Sequence, residues 1–226
     1  MLKASFIALS QSKSLRSLAE KTAIGQRLSR RFVAGVSTEE ALAAAQAMNQ
    51  LGLAVSIDNL GENVTNIEEA RHSAALYHQL LEQIDQQKLN ANVSLKLTHL
   101  GLDVDESLAH ELASSLVEHA VRINNFVRVD MEGSAYTDRT LAFVRCLHQN
   151  AGFEGRVGAV IQSYLHRSEK DVEQLLSEGI RIRLCKGAYK EPPEIAFEKK
   201  SDVDANYVRL MKVLLKSGIY HGIATH

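Results

Sequence analysis

Proline is nearly absent from this chain of 226 residues, with two in all, adjacent at Pro192 and Pro193. Long structureless linkers are therefore scarce, and helices can run without a breaker. Cysteine is as rare. Cys146 and Cys185 stand far apart with no metal-ligand spacing, and they read as free thiols in a reducing compartment. There is no tryptophan, aromatics make up 5% and the formal net charge is -1. Nothing here suggests a nucleic-acid surface. No apolar run reaches the roughly 18 residues of a membrane span. The nine histidines form neither H-x-H nor H-E-x-x-H, so no catalytic metal is indicated. A chain of this length buries one sizeable core and is most simply one domain.

What is present begins with a basic, serine-rich stretch. Lys3, Lys13, Arg16, Lys21, Arg27, Arg30 and Arg31 face one acid, Glu20. A transit peptide or a membrane-surface helix has this composition. The stretch lacks a clean apolar core and a cleavage pattern, so we expect a helical arm over residues 1–36, ahead of a domain over residues 37–226.

From Ser37 the pattern is regular. Ser37-Thr-Glu-Glu40 is a capping box, and its Ala/Leu/Met-rich helix stops at Gly52. "LAVSID" reads as a strand. Thr65-x-x-Glu68 opens a helix with Ile67, Ala70, Ala74, Leu81 and Ile84 near helical spacing. "NVSLKL" follows as a strand, then a helix marked by Leu108, Leu112, Leu116 and Ala120. "FVRVDME" is a strand and residues 137–152 a helix. "RVGAVIQSYL" is a strand, and Ser168-x-x-Asp171 caps a helix ending at Gly179. Then come "IRIRLCKGAY", a polar loop, a helix through Val208, Met211 and Leu215, and "GIATH".

Six strands alternating with helices imply an α/β fold with a parallel sheet. An open doubly wound sheet gathers ligands at one switch point and often carries a G-x-G-x-x-G turn. No such motif occurs here. Instead Asp58, Lys96, Asp130, Gln162, Arg183 with Lys186, and Thr225 with His226 fall at or near the ends of six different strands. Polar groups at every strand end suit the mouth of a (β/α)8 barrel. Six units are two short of eight. The expectation is therefore the front three-quarters of a barrel, open between "LAVSID" and "GIATH".

Three positions carry the chemical argument. Lys96 alternates with Leu95 and Leu97, and a lysine turned into a buried interior needs a partner; the alternative is an outward lysine on an edge strand. Asp130 follows an apolar strand and precedes a small-residue turn, a common active-site placement, against the alternative of a turn cap. Glu132 alternates with it. Arg183 presents a rigid donor fork suited to an anion or a heteroaromatic nitrogen, and Lys186-Gly187-Ala188 lets backbone approach a phosphate. Its alternative is a charge on a solvent face.

These segments resemble a known family. "VSLKLTHLGLDVD", "VRVDMEGSAYTD", "VIQSYLHRSEKDV", "IRIRLCKGAYKEPPEIAFEKKSDVDANYVRLMKVLL" and "GIATH" are similar, in order and spacing, to the core motifs of proline dehydrogenase. "LSRRFVAGVSTEEAL" and "DNLGENV" fit the same family, so the resemblance runs from about residue 27 to the last residue. It implies a distorted barrel holding FAD at its C-terminal face. The implied reaction oxidises L-proline to Δ1-pyrroline-5-carboxylate, with hydride passing to flavin N5 and electrons then to a membrane quinone. The implied location is cytoplasmic, peripheral at the inner face of the membrane, or mitochondrial in a eukaryote.

Carried onto this sequence, the resemblance implies that Lys96 contacts the proline carboxylate. Asp130 orders the substrate side. Met131 and Gln162 contact the flavin, and Arg183 sits near N5. Lys186, Gly187 and Ala188 hold the ribityl-pyrophosphate region, while Thr225 and His226 contact the rest of the cofactor. One feature departs from the family: its last helix, with an arginine pair for the proline carboxylate, has no counterpart here. Two other readings remain at this point: a Schiff-base aldolase using Lys96 or Lys186 as nucleophile, and a non-catalytic barrel fragment.

Overall fold

The computed structural model describes residues 33–61 and 64–225. The expected basic arm lies outside the described residues up to residue 32, as does His226. The chain divides after Ala54 into two units.

In the first, α1 (Thr38–Gln50) starts as the sequence predicts. Ser37 Oγ accepts from the Glu40 amide at 3.3 Å, and the Glu40 carboxylate accepts from the Val36 amide at 2.9 Å. The carboxylate thus reaches one residue further back than an ordinary capping box. Gly52, at φ +78, turns the chain out of the helix.

The second unit alternates strand and helix throughout: β1 (Val55–Asp58), α2 (Ile67–Gln86), β2 (Ala91–Leu95), α3 (Glu106–Arg122), β3 (Val127–Val129), α4 (Thr137–His148), β4 (Val157–Gln162), α5 (Ser168–Ser177), β5 (Arg181–Cys185), α6 (Lys200–Lys216) and β6 (Gly222–Ile223). All six strands are parallel and lie in the order β1-β2-β3-β4-β5-β6. Sheet neighbours are sequence neighbours with no reversal, which is barrel winding and not the doubly wound pattern. β1 and β6 stand at the two ends of the sheet, with no ladder between them among the described residues. The result is the expected incomplete barrel.

The period-2 alternation of the strands separates two faces. Val93, Leu95, Val127, Val129, Val157, Ala159, Ile161, Ile182 and Leu184 are buried, on the face the helices cover. The register sets Ser94 beside Arg128, Arg128 beside Gly158 and Gly158 beside Arg181 on the other face. That inner face is polar, which prepares it to bind and not merely to pack.

Several local details differ from the sequence reading. α2 is capped by Asn66, whose side chain accepts from the Glu69 amide, one residue beyond Thr65. The Thr65 amide and hydroxyl donate to Glu69 instead. Asparagine caps at least as well as threonine, so it takes the position. Ser168 does not cap α5. It is buried inside the first turn, while Asp171 pairs with Arg167 at 2.7 Å. On α6 the buried stripe is Tyr207, Leu210 and Leu214, while Val208 and Leu215 are exposed. The same face is fastened by the Tyr207 hydroxyl, which donates to the Ala224 carbonyl at 2.8 Å just past β6, and by the buried Asn206 amide, which donates to the Ser163 carbonyl and the Ser168 hydroxyl.

Candidate active site

The polar residues that end the strands converge on the C-terminal side of the sheet. Asp130 lies one residue past β3, where its amide continues the ladder to Leu95 of β2. Its Oδ1 accepts from Ser94 Oγ and from Arg183 Nη2, both at 2.5 Å. Arg183 belongs to β5, and Val160 of β4 pairs with it in register. A branched, uncharged residue therefore lies between the two charged ones, and the arginine crosses it to reach the carboxylate. Both side chains are largely buried, so the pair works in a medium that screens it poorly.

Lys96, one residue past β2, donates to Asp58 at the end of β1 at 3.2 Å. Leu95 and Leu97 are fully buried on the other side. The Asp58 carboxyl is pushed up by burial and held back by the nearby Lys96 ammonium. Tyr77 of α2 donates its hydroxyl to the other oxygen of Asp58 at 3.3 Å and accepts from the Asn59 amide. Burial, then the Asp58 charge, raises the Tyr77 phenol far out of its ordinary range, so it remains a neutral donor. An amine engaged in an ion pair is placed to bind an anion and not to attack a carbonyl. This weighs against the Schiff-base reading of Lys96.

Gln162 closes β4. Its amide nitrogen donates to the carbonyls of Met131 and Glu132 at 3.0 and 3.1 Å, while its buried Oε1 accepts no hydrogen bond among the described residues. A buried acceptor without a donor is uncommon, and it marks a place for a ligand N–H or O–H. Glu132 has a different role. It is buried, accepts from the Thr98 amide and hydroxyl, and fastens the turn after β2 to that after β3.

The segment after β5 forms part of the rim. Lys186 pairs with Asp204 of α6 at 2.6 Å. Gly187 has φ +105, and a Cβ there would lie 2.2 Å from the Tyr164 ring. Its missing side chain thus makes room for Tyr164, an intramolecular reason for glycine that the sequence reading did not anticipate. Glu191 reaches across to the loop after β3 and accepts from the Ser134 amide and hydroxyl at 2.7 and 2.6 Å. Ala188 and Thr225 are exposed. Of the residues singled out from sequence, Lys96, Asp130, Gln162 and Arg183 sit on the inner strand ends, and Met131 touches Gln162 through its carbonyl. Ser94 and Tyr77 were not singled out from sequence, and Asp58 was singled out as a strand-end polar group without an assigned role. Asp58 carries the same signal as Asp130, a carboxylate at the end of an apolar strand. Tyr77 gives none, because it continues the apolar stripe of a helix.

Residues 41–226 match the model of the proline dehydrogenase family. The chain belongs to the proline dehydrogenase family. Proline dehydrogenase 1 of Bacillus subtilis is 38% identical over 227 residues, covering all of this chain and 74% of the relative. Proline dehydrogenase of Deinococcus radiodurans is 36% identical over 224 residues, covering 95% of this chain and 72% of the relative. Among solved structures, the chain resembles proline utilization A from Bdellovibrio bacteriovorus inactivated by N-propargylglycine, with a TM-score of 0.81 at 24% identity. That match covers 89% of this chain and 26% of the larger protein, and it shows a shared fold. The strand-end cluster is thus the candidate active site of a proline dehydrogenase barrel.

Proposed function

We propose that the chain oxidises L-proline to Δ1-pyrroline-5-carboxylate with FAD held at the strand ends, and that the electrons pass to a quinone at a membrane surface. The observation that carries this reading is the convergence of Lys96, Asp130 and Arg183, from β2, β3 and β5, on one buried polar face. The residues present fit the cofactor. Gln162 offers an unused buried acceptor suited to the imide N–H of a flavin ring, and Arg183 offers a permanent cation beside it. When bound, FAD supplies the hydride acceptor.

The chain's own residues do the rest. Lys96, steadied by Asp58, binds the substrate carboxylate. Asp130 fixes the direction of the Arg183 fork, which places positive charge where negative charge develops. Met131 and Gln162 line the cofactor's polar edge, Lys186 to Ala188 hold its phosphate side, and Thr225 and His226 contact its remainder. The carbon that loses hydride adjoins the proline nitrogen, so the substrate reacts as the neutral amine, and the rate rises with pH as the bound ammonium loses its proton. No helix among the described residues is long and apolar enough to cross a membrane; on this reading the quinone is reached by peripheral contact from the cytoplasmic side.

The test is proline-dependent reduction of an artificial electron acceptor after reconstitution with FAD, with the visible spectrum recorded alongside. We expect flavin absorbance, turnover with L-proline and no requirement for NAD. We also expect Arg183→Ala to slow flavin reduction by about 10²–10³ while retaining FAD, the usual loss for one positioned charge-stabilising donor. Retained flavin with no reduction by proline would refute the substrate assignment. Failure to bind FAD would refute the cofactor assignment.

A further inference from the structure

Arg128 is the side chain that the candidate site leaves unexplained. It occupies the centre of β3, one layer below Asp130, and is 8% exposed. Its guanidinium makes no hydrogen bond among the described residues, and its buried Nε has no acceptor. Burying a charge in this way is unfavourable unless something pairs with it. Neutralisation is not a way out: burial, with Arg183 nearby and the Asp130 carboxylate opposing them from a distance, pushes its pKa down only to about 10, so it stays cationic at neutral pH.

Its neighbours deepen the imbalance. Arg181 lies in the same layer, one strand removed, and Gly158 stands between them in the register. Both guanidiniums lie over the Phe126 ring, Arg181 at 4.2 Å and Arg128 at 5.2 Å from its centroid. Gly158 is held to hydrogen there, since a Cβ would lie 2.5 Å from the Arg181 carbonyl and 2.8 Å from the Phe126 ring. Above this layer, Arg183 is already taken by Asp130, and Lys96 by Asp58. Lys96, Arg128, Arg181 and Arg183 thus share one inner face with two carboxylates, both in use. The Phe126 ring orients both arginines, and Arg181 also donates its Nε to the Tyr220 carbonyl at 3.3 Å, but these neutral partners bring no counter-charge.

We propose that Arg128, with Arg181 beside it, forms a binding site for a small carboxylate anion on the inner floor of the barrel, below the Asp130–Arg183 pair. A carboxylate matches the guanidinium fork in two-point geometry and brings the charge the layer lacks. The site is separate from the proposed contact of Lys96 with substrate and does not depend on flavin binding.

Thermal unfolding with acetate replacing chloride at constant ionic strength tests this. The wild-type midpoint should rise with acetate and saturate. Arg128→Met should be more stable than wild type without acetate and should lose the response. Lys96→Met should keep it, which separates this site from the substrate site. Arg128→Lys preserves the charge where the methionine variant fails to fold; it should need about tenfold more acetate, because an ammonium lacks the fork. No saturable response in wild type, an equal response in Arg128→Met, or loss of the response in Lys96→Met alone would each overturn the proposal.

Discussion

Asp130 and Arg183 meet across an intervening strand, joining β3 to β5 over the β4 residue Val160. The same carboxylate oxygen takes the Ser94 hydroxyl, so one atom ties three strands together. Removing the carboxylate leaves a buried cation and a hydroxyl without an acceptor. Asp130→Ala should destabilise the chain by about 1–3 kcal/mol, the usual penalty for an orphaned buried polar group. In a double-mutant cycle with Arg183→Ala, urea unfolding should show a coupling of about 1–2 kcal/mol. Additive losses would mean that the pair contributes nothing beyond each side chain alone.

Gly187 offers a sharper steric test. Alanine there meets both a left-handed backbone and the Tyr164 ring at 2.2 Å. Gly187→Ala should destabilise by at least about 2 kcal/mol, more than the backbone conformation alone accounts for. Adding Tyr164→Ala should recover part of that loss, read from the unfolding midpoints of the four variants. If the second substitution recovers nothing, the ring is not what excludes the side chain.

Lys96 and Asp58 make an electrostatic prediction. Burial raises the Asp58 carboxyl, and the Lys96 charge opposes it. Lys96→Met removes the opposition, so Asp58 should titrate at higher pH than in wild type. Carboxyl carbon shifts followed by NMR through the acid range report this directly. A fall, or no change, would show that the ammonium does not act on this carboxylate.

His78 of α2 and His119 of α3 stack at 5.2 Å, with their Nδ1 atoms 3.0 Å apart, and His78 Nε2 bonds Ser115. Burial first, then neighbouring positive charge, holds both imidazoles below the ordinary value of 6.5. Between that value and the lowered native one, the unfolded chain binds protons that the folded chain refuses. Their contribution is therefore complete above about pH 6.5 and is lost as pH falls through the native titration. Urea unfolding at pH 7 and pH 5 should show the loss, and a His78→Gln/His119→Gln variant should show less of it. An equal loss in the variant would assign the effect to other groups.

The strands and their winding were legible because parallel sheets in barrels show twice in sequence: apolar alternation within each strand, and a polar residue at each end. Lys96 and Asp130 were read correctly as inward for that reason. Helix rotation was less legible. On α6, Val208 and Leu215 are as apolar as Leu210 and Leu214, and distant partners favour one stripe, through the bonds of Asn206 to Ser163 and Ser168 and of Tyr207 to Ala224. Asn66 was missed as a cap because Thr65 also satisfies the pattern. Pairing partners were the least legible. Nothing local says that Lys186 meets Asp204 or that Arg128 lies over the Phe126 ring with its Nε unbonded among the described residues, since both depend on where other strands and helices bring their side chains.

The order of the strands also bears on how the sheet comes into being. Val55 pairs with Ala91, Val93 with Val127, Val127 with Val157, Gly158 with Arg181, and Arg183 with Gly222. Every pairing closes a loop of roughly 20–40 residues, and none waits for a segment from the far end of the chain. Each strand finds its edge already laid down by the one before it. A ribosome releasing this chain from the N-terminus would therefore extend the sheet one strand at a time, always at a single growing edge. Slow steps in folding should then lie in the late ladders, where β6 contributes only two residues to hold its place.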